Sequence, residues 1–210
     1  MMMDTILHPE LLHRLMAYLQ SATLNAMKQV EETGLLTPNN TGAMTCSDFI
    51  GKGSSDGKIS YKNCWASVNS QKFDQVSPQM WEEFCLNYQK PILEQFGLVA
   101  YGCCENLTQK LEGVQSIPNL RIFVCSAWTN LEKVVDTIGN NYVIMWRQKA
   151  SDIVFTDDTK KIQRHLEQGM KTLKGCNVQI VLRELQTLAK YPDRLHVWTE
   201  LAKEAAAKYS

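Results

Sequence analysis

Apolar positions recur at helical spacing through residues 8–32. Leu12, Leu15, Met16 and Leu19 are followed by Thr23, Ala26, Met27 and Val30, which predicts one long amphipathic helix closed by Gly34. "LLTPNN", residues 35–40, predicts a brief strand leading into a turn. Residues 41–76 are polar and rich in Gly, Ser, Asp and Asn, as in "GKGSSDGKIS". A stretch of that length reads as a long loop, either at an active site or mobile. Ser77-Pro78 then supplies an N-cap and a first helical residue, and Trp81, Phe84, Tyr88 and Ile92 continue the helix, with Pro91 expected to kink it.

Strands and helices alternate from there on. "LVAYGCC" (98–104) is strand-like, "LTQKLEGVQSI" helical, "RIFVCSAW" strand-like and "TNLEKVVDTIG" helical. Thr129 and Glu132 in the last of these stand at capping-box spacing, Leu131, Val134, Val135 and Ile138 form its apolar face, and Gly139 closes it. Strand "YVIMW" follows, then a helix over 158–174 with Ile162, Leu166, Met170 and Leu173 on one stripe. Strand "VQIVLREL" and a final helix from about Asp193 complete the chain. The strands are apolar, β-branched runs suited to burial on both faces. Their alternation with helices predicts an α/β protein with a parallel sheet, either open and doubly wound or a (β/α) barrel. No GxGxxG or Walker pattern follows a strand, so nothing supports a dinucleotide or P-loop site.

Composition narrows the function classes. The 210 residues are 44% hydrophobic, enough for one sizeable core in a single domain, and the formal net charge is zero. No basic field is present to gather nucleic acid or an anionic membrane. The N-terminal "MMMDTILHPELLH" lacks the cationic flank and apolar centre of a signal peptide, and no apolar run is long enough for a bilayer span; the expected location is cytoplasmic. Seven cysteines, an odd number lying within apolar stretches, fit a reducing compartment rather than a disulfide framework. No CxxC pair is present, which argues against a zinc ribbon.

Several segments together resemble the uroporphyrinogen decarboxylase superfamily, which also holds cobalamin-linked methyltransferases. The carriers are "HPELLHRLMAYL", "SPQMWEEFCLNYQKPILEQFGLVAYGCCENL", "IPNLRIFVCSAW", "NNYVIMWRQKA" and "VQIVLRELQTLAKYPDRLHVW". "YGCCE" points to a bacterial branch of that superfamily rather than to the haem-pathway decarboxylases. The resemblance implies a TIM barrel with its active site at the C-terminal ends of the strands. It also implies that this chain carries strands four to eight, about five βα units, and so a partial barrel. Five units cannot close an eight-stranded barrel, so the expected partners are a missing N-terminal half, a second copy in a homodimer, or a corrinoid protein, besides a small-molecule substrate. The substrate-loop motif "RQAGRY" of true uroporphyrinogen decarboxylases does not occur here.

In the zinc-dependent methyltransferases a His-x-Cys on the fifth strand and a later Cys on the eighth hold the metal. The resemblance sets Tyr101 and Cys103 at the first pair and Glu184 at the last position, so Cys103 alone keeps a ligand position. A zinc site rebuilt from Cys103, Cys104, Glu105 and Glu184 is one reading, and zinc and a partner-borne corrinoid are the cofactors implied. Within a continuous strand Cys103 faces the same way as Tyr101 and Cys104 the opposite way, toward core packing. Glu105 reads either as a catalytic carboxylate or as a favourable charge before the next helix. Ser126, Arg147, Lys149 and Arg183 stand at strand ends as substrate-binding candidates, with Tyr101, whereas Cys125 reads as packing. His8, His13, His165 and His196 lie on helical segments without metal-ligand spacing and read as surface or capping residues. The functional expectation is a methyltransferase-type enzyme using Cys103 as metal ligand or thiolate. The alternatives are a cofactor-free decarboxylase of a carboxylated substrate, binding through Arg147, Lys149 and Arg183, and a truncated, non-catalytic subunit.

Overall fold

A computed structural model describes residues 3–40, 50–51 and 57–209. They form two compact units, Met1–Phe123 and Val124–Ser210. The chain is α/β, and every described strand pairing is parallel.

The first unit opens with α1 (Asp4–Leu7) and α2 (Pro9–Glu32), the long helix that the apolar spacing predicts. Its packed stripe differs from the one the sequence suggests. Leu12 is buried and Met16, Gln20, Leu24 and Met27 are half-buried, whereas Leu15, Leu19 and Val30 face solvent. Polar anchors turn the helix about its axis: Nδ1 of His13 lies 2.8 Å from the Tyr88 hydroxyl, its ring stacks 4.5 Å from Phe84, and the Gln20 amide donates to the Tyr88 carbonyl at 3.1 Å.

Residues 35–40 form no strand, and the described part of the 41–76 stretch is not simply a loop. Strand β1 (Trp65–Val68) lies within it. The Asn39 side chain clamps its start, donating to the Trp65 carbonyl at 2.9 Å and accepting from the Trp65 N–H at 2.7 Å. "WASV" is too short and too polar in its surroundings for periodicity to register. A side chain distant in sequence supplies part of its hydrogen bonding.

Ser77 caps α3 (Pro78–Trp81), its hydroxyl accepting from the Met80 N–H at 3.2 Å. The helix then widens into a π turn over Glu82–Leu86 before α4 (Asn87–Leu93), which runs through Pro91. The irregularity thus falls a turn before the proline, at a π segment of the kind often found near functional sites. Strand β2 (Leu98–Tyr101) pairs with β1 on one side and β3 (Leu120–Cys125) on the other, so this unit's strands lie in chain order. Between them the predicted helix is reduced to α5 (Leu111–Gln115). Gly113 on α5 lies so close to Trp81 that a Cβ there would come within 2.4 Å of the indole.

The second unit holds α6 (Leu131–Ile138), β4 (Val143–Lys149), α7 (Ala150–Val154), α8 (Thr159–Thr172), β5 (Asn177–Arg183) and α9 (Arg194–Tyr209). Strands β4 and β5 pair in register from Val143↔Asn177 to Lys149↔Arg183. Strand β4 continues past the apolar run into Arg147, Gln148 and Lys149, which pairing with β5 makes worthwhile. The predicted stripe of α8 is buried as expected, at Ile162, Leu166, Met170 and Leu173. The cap of α6 is Asn130, not Thr129: the Asn130 side chain accepts from the Lys133 N–H at 2.9 Å, while Thr129 is buried 3.0 Å from the Ser126 hydroxyl. Asn130→Ala should therefore lower stability by about 1 kcal/mol, read as a shift in urea midpoint. A shift produced by Thr129→Ala alone would put the cap back at Thr129. No helix among the described residues is long and apolar enough to cross a membrane.

Candidate functional site

Buried polar side chains collect where strands end. Ser70 follows β1 and Glu105 follows β2; Ser126 and Thr129 follow β3; Arg147 and Gln148 lie in the last residues of β4. Polar groups removed from water must be hydrogen-bonded, so within each unit, taken by itself, their concentration at the strand ends marks those ends as chemically distinct. Parallel α/β proteins place their sites there.

In the first unit, Cys103, Cys104 and Glu105, all singled out from the sequence, come together just after Tyr101, the last residue of β2. Strand β2 stops at Tyr101 because Gly102 adopts φ +112°, a conformation closed to most side chains, while its N–H still reaches the Val68 carbonyl at 2.8 Å. Strand alternation therefore ends at Tyr101 and does not assign faces to Cys103 and Cys104. Both thiols are half-buried, and their sulfurs lie 3.6 Å apart. Glu105 is 1% exposed. One of its oxygens accepts from the Ser70 N–H at 2.7 Å and the Ser70 hydroxyl at 3.2 Å, and the other from the Cys103 N–H at 3.0 Å. The carboxylate thus pins the cysteine backbone to the segment after β1.

Further bonds stitch the same two loops. Asp74 accepts from the Asn106 N–H at 2.7 Å, and the buried Lys110 donates to the carbonyls of Phe73 and Asp74 at 2.7 and 3.0 Å. Burial lowers the Lys110 pKa, against the raising pull of Asp74 and Glu105. Tyr101 donates to the Gln89 side chain at 2.8 Å, and burial pushes its phenol well above the usual range, so it stays a neutral donor. Cys85, on the π turn, is pushed up to about 12 by burial, as is Cys125 at the end of β3. Both are packing thiols, as the sequence suggests for Cys125.

The remaining predicted residues fall in the second unit. Ser126 and Lys149 line a cavity of about 560 Å³, together with Trp146, Asp152, His165 and Gly169. The Lys149 ammonium lies 5.2 Å from the centre of the Trp128 ring, within cation–π range. Arg147 is buried on β4, and Lys149 stands opposite Arg183 in register. Strand β5 ends at Arg183, and Glu184 has φ +64°, so alternation does not assign it a face either.

Nothing in the sequence pattern marks Gln148. It is buried between Trp198, whose indole N–H donates to its oxygen at 2.6 Å, and His165, whose Nδ1 lies 3.3 Å from its amide nitrogen. An indole N–H only donates, so it turns the Gln148 oxygen toward itself and the amide NH2 toward His165. Nδ1 must then accept, leaving the proton of a neutral imidazole on Nε2. Nothing in the sequence marks Ser70 or Gln89 either. Ser70 sits in the stretch that reads as loop, and a glutamine on a helix carries no signal of a partner on a strand.

Among the described residues no group of three or more His, Cys, Asp or Glu side chains is placed to hold a metal ion. At the Cys103 corner the donors are two thiols and a carboxylate whose oxygens already accept N–H and O–H bonds. These three side chains are not placed as a ligand group, so the two adjacent thiols by themselves fall short of the three protein ligands of a catalytic zinc site. What the fold and these corners define is a class: an α/β chain of parallel strands with buried polar groups at the strand ends. The chain matches no protein-family model, and no curated protein matches it.

Proposed function

We propose that this chain is a barrel-type enzyme of the uroporphyrinogen decarboxylase superfamily, of the methyltransferase kind, with Cys103 as its reactive thiol. The observation that supports the reading best is Cys103 at the end of β2, its N–H held by the buried Glu105. The chain-order, parallel arrangement of β1, β2 and β3 agrees with it, since a barrel adds strands in sequence whereas a doubly wound sheet reverses at a switch point. In this reading the Cys103 thiolate would attack the methyl carbon of a donor, forming an S–CH3 bond as the donor–carbon bond breaks with its electron pair left on the donor, and an acceptor nucleophile would then take the methyl group and release the thiolate. A corrinoid on a partner protein would carry the methyl group, whereas the described donors beside Cys103 do not make up a zinc site by themselves. The thiolate chemistry itself rests on Cys103.

Alkylation with iodoacetamide near neutral pH tests this. Cys103 should react first, with Cys85 and Cys125 protected by burial, and Cys103→Ser should remove the fastest-reacting equivalent. Protein that carries no zinc and alkylates identically with and without Cys103 would end the methyl-transfer reading.

A second reading, a decarboxylase acting on a carboxylated substrate, is favoured by the buried Arg147 and by Lys149 standing opposite Arg183 at the ends of β4 and β5. Guanidinium groups recognise carboxylates through paired hydrogen bonds.

A further inference from the structure

The two sulfurs after β2 have a geometry that neither reading uses. Adjacent cysteines in an extended strand would direct their side chains to opposite faces. Here the left-handed turn at Gly102 ends the strand, and the Cys103 and Cys104 sulfurs lie 3.6 Å apart. A centre bonded to both at about 2.3 Å, the length of a zinc–thiolate bond, would subtend an angle of about 103° at that separation. That angle suits a pyramidal or tetrahedral centre and rules out a linear one spanning this pair. A tetrahedral zinc would still require further protein ligands. A monosubstituted trivalent arsenical brings its own carbon substituent, so two thiols complete its pyramid.

The backbone on both sides of the pair is held in place before any ligand arrives. The Gly102 N–H is bonded to Val68, the Cys103 N–H to Glu105, and the Asn106 N–H to Asp74. Glu105 is held in turn by Ser70, and Lys110 ties down the carbonyls of Phe73 and Asp74. A chelate formed on a fixed frame loses little conformational freedom on binding, which is where preorganised sites gain affinity. The other described thiols differ: Cys64, Cys85 and Cys125 are buried, and Cys176 is half-buried on a separate segment in the second unit. Cys46 lies outside the described residues.

We propose that Cys103 and Cys104 form a chelating dithiol site for a thiophilic pyramidal centre, with monosubstituted trivalent arsenicals as the ligand class. Binding is a condensation without redox change. Each thiol gives up its proton, two As–S bonds replace the bonds of arsenic to oxygen, and the oxygen leaves as water. The site goes beyond the methyl-transfer reading, because it requires both sulfurs where that reading requires only Cys103.

The test uses the full chain, reduced, with phenylarsine oxide as probe and intact-mass measurement. One adduct should form and survive excess 2-mercaptoethanol, then be removed by 2,3-dimercaptopropanol. Proteolytic mapping should place it on the peptide carrying both Cys103 and Cys104. Cys103→Ser and Cys104→Ser should each weaken monothiol-resistant binding by about 100-fold, the lower end of what linking two contacts contributes. Cys176→Ser should leave it unchanged. An adduct on wild-type protein that monothiol strips, or that maps elsewhere, overturns the proposal whatever the variants do, as does full retention by either serine variant. Cys104→Ser keeps the Cys103 thiol available for alkylation, so loss of chelation and failure of the methyl-transfer reading give separate results.

Discussion

Replacing Glu105 with glutamine should destabilise the protein by about 3 kcal/mol, although the two side chains have almost the same shape. Both carboxylate oxygens are acceptors here, one for Ser70 and the other for Cys103. An amide offers one acceptor and one donor. In either rotamer its NH2 meets a backbone N–H, leaving that N–H without an acceptor inside the protein. A buried donor stripped of its partner costs about 1–3 kcal/mol, and a charge-assisted bond lost with it about 1.5–3 kcal/mol. Because Glu105 is 1% exposed, water cannot step in without rearrangement. Urea denaturation of Glu105→Gln and Glu105→Ala reads the loss. A change below about 0.5 kcal/mol, the ordinary scatter of surface substitutions, would show that the carboxylate does not carry the loop junction. The same variant should lose the selective fast alkylation of Cys103, because the segment bearing that thiol is no longer tied to Ser70.

The second large effect is expected at Gly169. On an exposed helix, Gly→Ala normally stabilises by up to about 1 kcal/mol. Here the sign reverses. A Cβ at Gly169 would lie 2.0, 2.3 and 2.7 Å from the Cη2, Cζ2 and Cζ3 atoms of Trp146. Those atoms belong to one rigid, buried ring and cannot yield singly; either the indole or the whole of α8 must move. Overpacking of this kind costs about 1–3 kcal/mol, so Gly169→Ala should be less stable by about 2 kcal/mol. Trp146→Phe removes the far ring of the indole, which carries all three clashing atoms. In the Trp146→Phe background Gly169→Ala should therefore become nearly neutral, and the coupling appears as a double-mutant cycle. Independent costs at the two positions would show that the contact is not what holds α8 against β4.

These two residues show how unevenly structure is written in the chain. The apolar stripe of α8 is legible because burial imposes a 3.6-residue period, and Ile162, Leu166, Met170 and Leu173 are all buried as that period requires. Gly169, on the same helix, reads only as a weak helix former, since the indole that demands it comes from a strand 23 positions earlier. Capping is local and only partly legible: Ser77 caps as expected, but Asn130 displaces Thr129, whose hydroxyl is drawn to Ser126. The candidate site is divided in the same way. Tyr101, Cys103 and Glu105 are visible as unusual residues at a strand end, whereas Ser70, which holds Glu105, is hidden in a polar stretch.

By itself, then, the sequence determined the α/β character and the alternation of elements from residue 77 onward. Each follows from periodicity and local hydrogen bonding, which act over a few residues. Tertiary structure alone decided that β1 forms from "WASV", that α2 turns Leu15 and Leu19 outward, and that Cys103 and Cys104 leave the strand with their sulfurs 3.6 Å apart. Those outcomes depend on Asn39, His13, Gln20, Ser70 and Glu105 finding partners far along the chain. A hydrogen bond between distant residues leaves no period in a sequence.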